Sequence, residues 1–174
     1  LTARHTPGHT PEHLSFECSE AKQREMPWAV FTGDSLFVGS AGRPDLLGAA
    51  QARQLSDDLY RTLYEYYLRL EDFVTIFPGH GAGSACGANI GDRLTSTIGY
   101  ERRTNPFLKF PNEESFHKFV LEDAPPVPWH YPQLKQVNSA GPAVMDRLPT
   151  IHALPPDAFR KAMREPKVSV IDTR

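Results

Sequence analysis

The stretch His5-Thr6-Pro7-Gly8-His9-Thr10-Pro11-Glu12-His13 holds three histidines in nine residues, with Pro7-Gly8 directly before the middle one. Proline locks φ and glycine tolerates positive φ, so the side chain that follows such a turn is aimed. An aimed imidazole is what a metal site needs. Two later stretches look like companions: Phe31-Thr32-Gly33-Asp34-Ser35-Leu36 and Ile76-Phe77-Pro78-Gly79-His80-Gly81. Each sets one ligand-type residue at the end of an apolar run, beside glycine. The residues read as a set in which His9, Asp34 and His80 converge on one metal centre.

Such a set needs strands to deliver it and a helix to brace them. Leu14–Cys18 alternates apolar and polar residues, which reads as a half-buried strand leaving the histidine-rich turn. Trp28-Ala29-Val30-Phe31 reads as a buried strand delivering Asp34, and Phe73–Phe77 as another ending at His80. Between them, Ala49–Leu70 is the clearest helix. Its Leu55, Leu59, Leu63, Tyr66, Tyr67 and Leu70 recur at spacings of three and four and make one apolar face. Ligands at strand ends, on loops held by a rigid scaffold, are the layout of an α/β site.

The rest of the chain is read more coarsely. Ser19–Pro27 reads as a hairpin loop and Gly39–Asp45 as a glycine-rich loop. A short helix is expected at Ser84–Asn89, and Asn112 is expected to cap a helix carrying Phe116, Phe119 and Val120. Ala124-Pro125-Pro126 should end that helix, and 124–149 is read as an extended linker. Pro155-Pro156-Asp157 opens a further helix, and Val168–Asp172 reads as a strand.

Composition sets the outer bounds. The 174 residues are 40% hydrophobic and 23% charged, enough for a packed core. A net charge of −2 gives no global field for nucleic acid or an anionic membrane. No apolar run approaches the roughly 20 residues of a membrane helix. With two cysteines, Cys18 and Cys86, no disulfide framework is implied, and a reducing, cytoplasmic setting is expected. The chain does not start with Met, and its tail reads as a strand without a partner. It is therefore read as a segment of a longer polypeptide. Strands around Leu14–Cys18 and Trp28–Phe31 are expected to lie against sheet supplied by another segment.

Thr6-Pro7-Gly8-His9-Thr10, Thr32-Gly33-Asp34 and Pro78-Gly79-His80-Gly81, in that order, resemble the metallo-β-lactamase superfamily. Gly42-Arg43-Pro44-Asp45-Leu46, Gly81–Gly87 and Gly99-Tyr100-Glu101-Arg102 with Asn105-Pro106 resemble its persulfide dioxygenase branch, in the form fused to rhodanese (sulfurtransferase) modules. Val170-Ile171-Asp172-Thr173-Arg174 resembles the opening strand of a rhodanese domain. The fold so implied is α/β (α+β): the C-terminal part of an αββα sandwich over 1–123, a linker over 124–149, and the start of a rhodanese-like α/β domain over 150–174. The superfamily's His-x-His-x-Asp-His motif is absent from this sequence, so the metal site would be incomplete without an upstream half of the domain.

The resemblance implies one Fe(II) held by two histidines and one aspartate, with His9 and Asp34 on two of those positions. That facial set leaves open positions for O2 and a substrate sulfur. The implied reaction oxidises a low-molecular-weight thiol persulfide, such as glutathione persulfide, to sulfite, with sulfur transfer by the rhodanese part. His80 is either a ligand or a pocket residue that hydrogen-bonds near the metal. His13 either stabilises the turn or approaches the pocket. Arg43 and Asp45 form either an ion pair shaping the loop under the metal or an ordinary loop pair. Tyr100 and Arg102 either reach a thiol substrate's carboxylates or cap local structure. Cys86 reads as a small packed residue. Two other functions stay open: a binuclear thioester hydrolase, with Zn(II) as the alternative metal, and a metal-free scaffold or sulfur-carrier binding module. Oligomeric state is open, a homodimer included.

Overall fold

The computed structural model describes residues 1–122, 126–142, 144, 150 and 152–172. Its strands are β1 (Thr2–His5), β2 (Leu14–Ser19), β3 (Pro27–Gly33), β4 (Leu36–Phe37), β5 (Ser40–Ala41), β6 (Thr75–Pro78) and β7 (Ser96–Thr97). Five of them form one sheet in the order β1-β2-β3-β6-β7, and β4 and β5 pair as a separate hairpin. All neighbours are antiparallel except β3 and β6, which run parallel. Parallel neighbours need a long crossover, and here it carries helix α1 (Ala49–Arg61). Asp34 and His80 therefore leave adjacent parallel strands at the same end, where Gly33 pairs with Pro78.

Helix α1 follows its sequence pattern. Leu55 and Leu59 are buried on one face, and the same stripe continues through a π-helical turn (Thr62–Tyr66) and a 3-10 turn (Tyr67–Arg69) to bury Leu63 and Tyr67. This stripe packs with Val30, Ile76, Val74 and Leu36 into the core. Helices α2 (Ile98–Thr104) and α3 (Glu113–Glu122) add Ile98, Phe116 and Val120. Asn112 caps α3 as expected: its side-chain oxygen accepts the Ser115 amide proton at 3.0 Å.

The β4–β5 hairpin is tied to the core by a buried polar knot. Glu101 of α2 is fully buried, and its Oε2 accepts from the Gly39 amide at 2.8 Å and from Asn105 Nδ2 at 2.9 Å. Asn105 also donates to the Ser40 carbonyl at 3.0 Å. Two residues from beyond the sheet thus fix the hairpin that precedes Arg43.

Several sequence expectations change. Trp28 and Phe31 are 53% and 48% exposed, not buried: Phe31 lies on the face of β3 that no second layer covers among the described residues, and Trp28 sits where the β2–β3 register shifts. Phe16 and Phe31 pair across β2 and β3, Phe31 pairs with Phe77, and Leu14 and Phe16 are exposed on the same face. Ser84–Asn89 is not a helix but a run of turns, with an isolated bridge between Gly42 and Gly87. Its backbone bonds to the neighbouring loop, where Arg43 N–H donates to the Cys86 carbonyl, instead of to itself. Within the expected linker, α4 (Tyr131–Ala140) is helical. Gln, Leu and Lys favour helix there, and Pro132 is tolerated in the first turn. Val168–Asp172 forms no strand among the described residues, since no partner strand is present to pair with it. Ala124, Pro125, Pro149, Thr173 and Arg174, which figured in the helix end, the linker and the terminal strand, lie outside the described residues. β1, β7 and α2 were not anticipated.

The chain divides into two compact units, Leu1–Tyr131 and Pro132–Arg174. In the second, α5 (Pro156–Ala162) forms where Pro155-Pro156-Asp157 predicted a helix start, and none of its residues is buried. Leu59 is fully buried where α1 meets the histidine-rich turn. Leu59→Ala is expected to lower stability of the intact protein by about 2–5 kcal/mol, measured as a lower denaturant midpoint with an unchanged slope.

Candidate metal centre

The turn that carries His9 lies directly on α1. Gly8 has φ +140°, and a Cβ there would stand 2.5 Å from the Leu59 backbone. Only glycine allows both that φ and that approach. Thr62 donates its hydroxyl proton to the Pro7 carbonyl at 2.8 Å and locks the turn to the helix. His9 is thereby pointed back across the sheet end.

His9 Nδ1 lies 3.1 Å from the Arg43 carbonyl. A carbonyl only accepts, so Nδ1 carries the proton and Nε2 presents its lone pair. That lone pair faces Asp34 Oδ2 at 3.5 Å. Burial lowers the His9 pKa, outweighing the opposing pull of Asp34 and the bond to Arg43; nearby His80 lowers it further. At neutral pH two electron-rich atoms therefore face each other across a gap that a cation fills. A neutral imidazole and a carboxylate are a ligand pair for a divalent metal, so the residues present fit one.

Asp34 is held from three sides. His80 Nδ1 donates to its Oδ1 at 2.7 Å. Its backbone N–H donates to His13 Nε2 at 3.0 Å. Gly79 passes so close that a Cβ there would be 2.7 Å from Oδ1. His80 is thus brought to Asp34, with its Nδ1 committed to the carboxylate.

His13 closes a buried relay. Because its Nε2 accepts from Asp34, its Nδ1 carries the proton and donates to Thr6 Oγ1 at 2.9 Å. Thr6 Oγ1 bonds Ser15 Oγ at 2.8 Å, and Ser15 Oγ bonds the Tyr67 hydroxyl at 2.6 Å. Burial pushes the Tyr67 phenol up to about 12, keeping it a neutral link. Both His13 nitrogens are occupied, so it positions Asp34 rather than binding metal. Burial and then the His9 charge lower the His13 pKa as well.

Arg43 and Asp45 form a two-pronged ion pair at 3.0 and 2.6 Å. With Arg43 buried, this pair shapes the loop whose carbonyl orients His9. Arg102 is committed elsewhere: it donates to Asp72 at 3.0 Å and to the Leu68 and Leu70 carbonyls at 2.8 and 3.0 Å, closing the end of the 3-10 turn. Tyr100 stacks under the Arg93 guanidinium, 4.1 Å from its ring centre. Both residues thus make local structural contacts, one of the two roles the sequence left open for them.

Cys86, which reads in the sequence as a small packed residue, lies beside the His9–Asp34 pair. Its sulfur, one His9 nitrogen and one Asp34 oxygen all lie within 4.8 Å of one another. The Tyr131 pKa is raised, chiefly by burial and then by nearby Cys86. The only signal in the sequence was the position of Cys86 six residues after His80, and no ligand spacing rule covers it.

The mixed α/β fold is that of metallo-β-lactamase-type structures. A metallo-β-lactamase from Staphylococcus aureus superposes on 79% of this chain with a TM-score of 0.69 and 39% identity, the match covering 39% of that protein. ETHE1 from Myxococcus xanthus superposes on 79% of the chain and 52% of its own length, with a TM-score of 0.59 and 26% identity. A hydroxyacylglutathione hydrolase of Haemophilus influenzae is 36% identical over 104 residues, 60% of this chain and 38% of that protein. No family model matches the chain. The likenesses support the metallo-β-lactamase superfamily. The chain spans 38% to 50% of the length of such curated relatives. Among the described residues, no helix is long and apolar enough to cross a membrane.

The lowered pKa values of His9 and His13 set a pH dependence. Between those values and the usual value of about 6.5, the unfolded chain binds more protons than the folded one. Stability of the metal-free protein is therefore expected to be fully present above about pH 6.5 and to fall as pH drops below it, read as a falling melting temperature across an acid series. His13→Ala leaves the Asp34 amide and the Thr6 hydroxyl without their partner. It is expected to cost about 1–3 kcal/mol of stability and to weaken metal binding, measured by denaturation and by metal titration.

Proposed function

We propose that this chain supplies part of a metal centre that oxidises a low-molecular-weight thiol persulfide to sulfite and the free thiol, consuming O2 and water. The observation that carries the reading is the His9 Nε2 lone pair facing Asp34 Oδ2 at 3.5 Å while Nδ1 is held by the Arg43 carbonyl. His9 and Asp34 would hold the ion, with a further histidine from an upstream half of the domain. Fe(II) in such a set supplies open positions for O2 and a substrate sulfur. His80 fixes the rotation of the Asp34 carboxylate through Oδ1 and leaves Oδ2 for the ion. The His13 relay fixes the Asp34 backbone, so the carboxylate needs no reorganisation when the ion enters. The substrate class rests on the resemblance of Gly42–Leu46, Gly81–Gly87 and Gly99–Arg102 to persulfide dioxygenases.

The rest of the reading concerns what surrounds the centre. A second sheet, from the remaining length that the relatives possess, would cover Leu14, Phe16 and Phe31. An exposed apolar row of this kind marks an interaction surface. The metallo-β-lactamase-type part would occupy 1–123, joined through 124–149 to a rhodanese-like module beginning in 150–174, in a reducing cytoplasm.

A second reading, a binuclear thioester hydrolase, is favoured by one feature: Asp34 stands between two imidazoles, His9 on Oδ2 and His80 on Oδ1, as a bridging carboxylate does. The hydroxyacylglutathione hydrolase likeness points the same way.

The intact protein, assayed with glutathione persulfide, is expected to bind one iron and form sulfite. His9→Ala should remove both the iron and at least nine-tenths of the sulfite. Two metals per chain, with glutathione thioester cleavage and no sulfite, would establish the hydrolase instead. Survival of iron and sulfite in His9→Ala would sink the assignment.

A further inference from the structure

Three donors of different chemistry meet at Asp34. A His9 nitrogen, an Asp34 oxygen and Cys86 Sγ lie within 4.8 Å of one another, and all three residues are part-buried. A separation of that order allows one ion to be reached by all of them, given metal–ligand bonds of roughly 2.0–2.3 Å. Two of the donors are referenced to a single stretch of backbone. His9 Nδ1 donates to the Arg43 carbonyl, while the Arg43 amide donates to the Cys86 carbonyl at 3.1 Å. The antiparallel bridge between Gly42 and Gly87 joins the same two segments, one residue before Arg43 and one after Cys86. The Cys86 amide donates to Ser84 Oγ at 3.2 Å. The Cys86 backbone is therefore fixed to the same segment that orients the His9 imidazole, and its Sγ lies in reach of the His9–Asp34 pair.

We propose that Cys86 Sγ is a direct ligand of the divalent ion held by His9 and Asp34, so that this chain contributes a nitrogen, an oxygen and a sulfur donor. Binding replaces the thiol S–H bond with a sulfur–metal bond and releases one proton; nothing is oxidised. The consequence is selectivity. A thiolate is soft and favours Zn(II), Co(II) or Fe(II) over Mg(II) and Ca(II). It also occupies a position for which a substrate that binds through sulfur must compete. Tyr131 lies near enough to Cys86 for the two side chains to couple electrostatically. The inference takes from the proposed function only the ion at His9 and Asp34, and it is independent of which reaction follows.

The test uses the intact protein, stripped of metal and titrated anaerobically with Co(II). Wild type and Cys18→Ser are expected to show a near-ultraviolet sulfur-to-cobalt charge-transfer band that saturates with one equivalent. Cys86→Ser should keep the native circular dichroism, lose the band and bind Co(II) about tenfold more weakly or worse. Co(II) bound by wild type without the band, or a band that survives in Cys86→Ser, overturns the Cys86 assignment and leaves the His9–Asp34 centre standing. A wild-type protein that binds no Co(II) overturns both.

Discussion

The arrangement depends on the confinement of one carboxylate. Asp34 is gripped at Oδ1 by His80, at its backbone by His13, and on its flank by the Gly79 backbone. With those partners in place, Oδ2 can only face His9. The same confinement makes the His9–Asp34 gap unfavourable without a cation. Two lone-pair-bearing atoms are held at short range by contacts that neither can release cheaply. Pre-organised ligands of this kind spend their ordering cost during folding, not during binding.

That confinement is transmitted from the core. The relay His13–Thr6–Ser15–Tyr67 runs from the site to the fully buried end of the α1 stripe, and every link is a hydrogen bond between side chains in a region of low water access. Satisfied networks of this type rigidify their surroundings, because each member left unpaired would carry a desolvation penalty. The Pro7-Gly8 turn is fixed to the same helix by Thr62 and by the close approach to Leu59. Both His9 and Asp34 are therefore positioned from α1, although neither belongs to it.

The two faces of the sheet differ for the same reason. Val30 and Ile76 point into the helical layer and are fully buried, while Phe16 and Phe31 on the other face are exposed. The aromatic row Phe16–Phe31–Phe77 is continuous in register across three strands. An apolar face of this kind marks an interaction surface, and this chain spans about half or less of the length of the structural relatives.

Much of this was legible in the sequence. The α1 stripe, β2, β3, β6 and the Asn112 cap are local: periodicity or one capping side chain decides them within a few residues. The order of His9, Asp34 and His80 at turns and strand ends is equally local, and the structure does bring these three together. What only the tertiary structure decided is which partner each side chain takes. Arg102 was free to face a substrate until the 3-10 turn presented two carbonyls to it, and Cys86 was one small residue among others until the Gly42–Gly87 bridge carried it to His9. Spacing along the chain sets the direction of a side chain through φ and ψ. It does not set the distance between loops, which depends on how the helix and sheet close around the core.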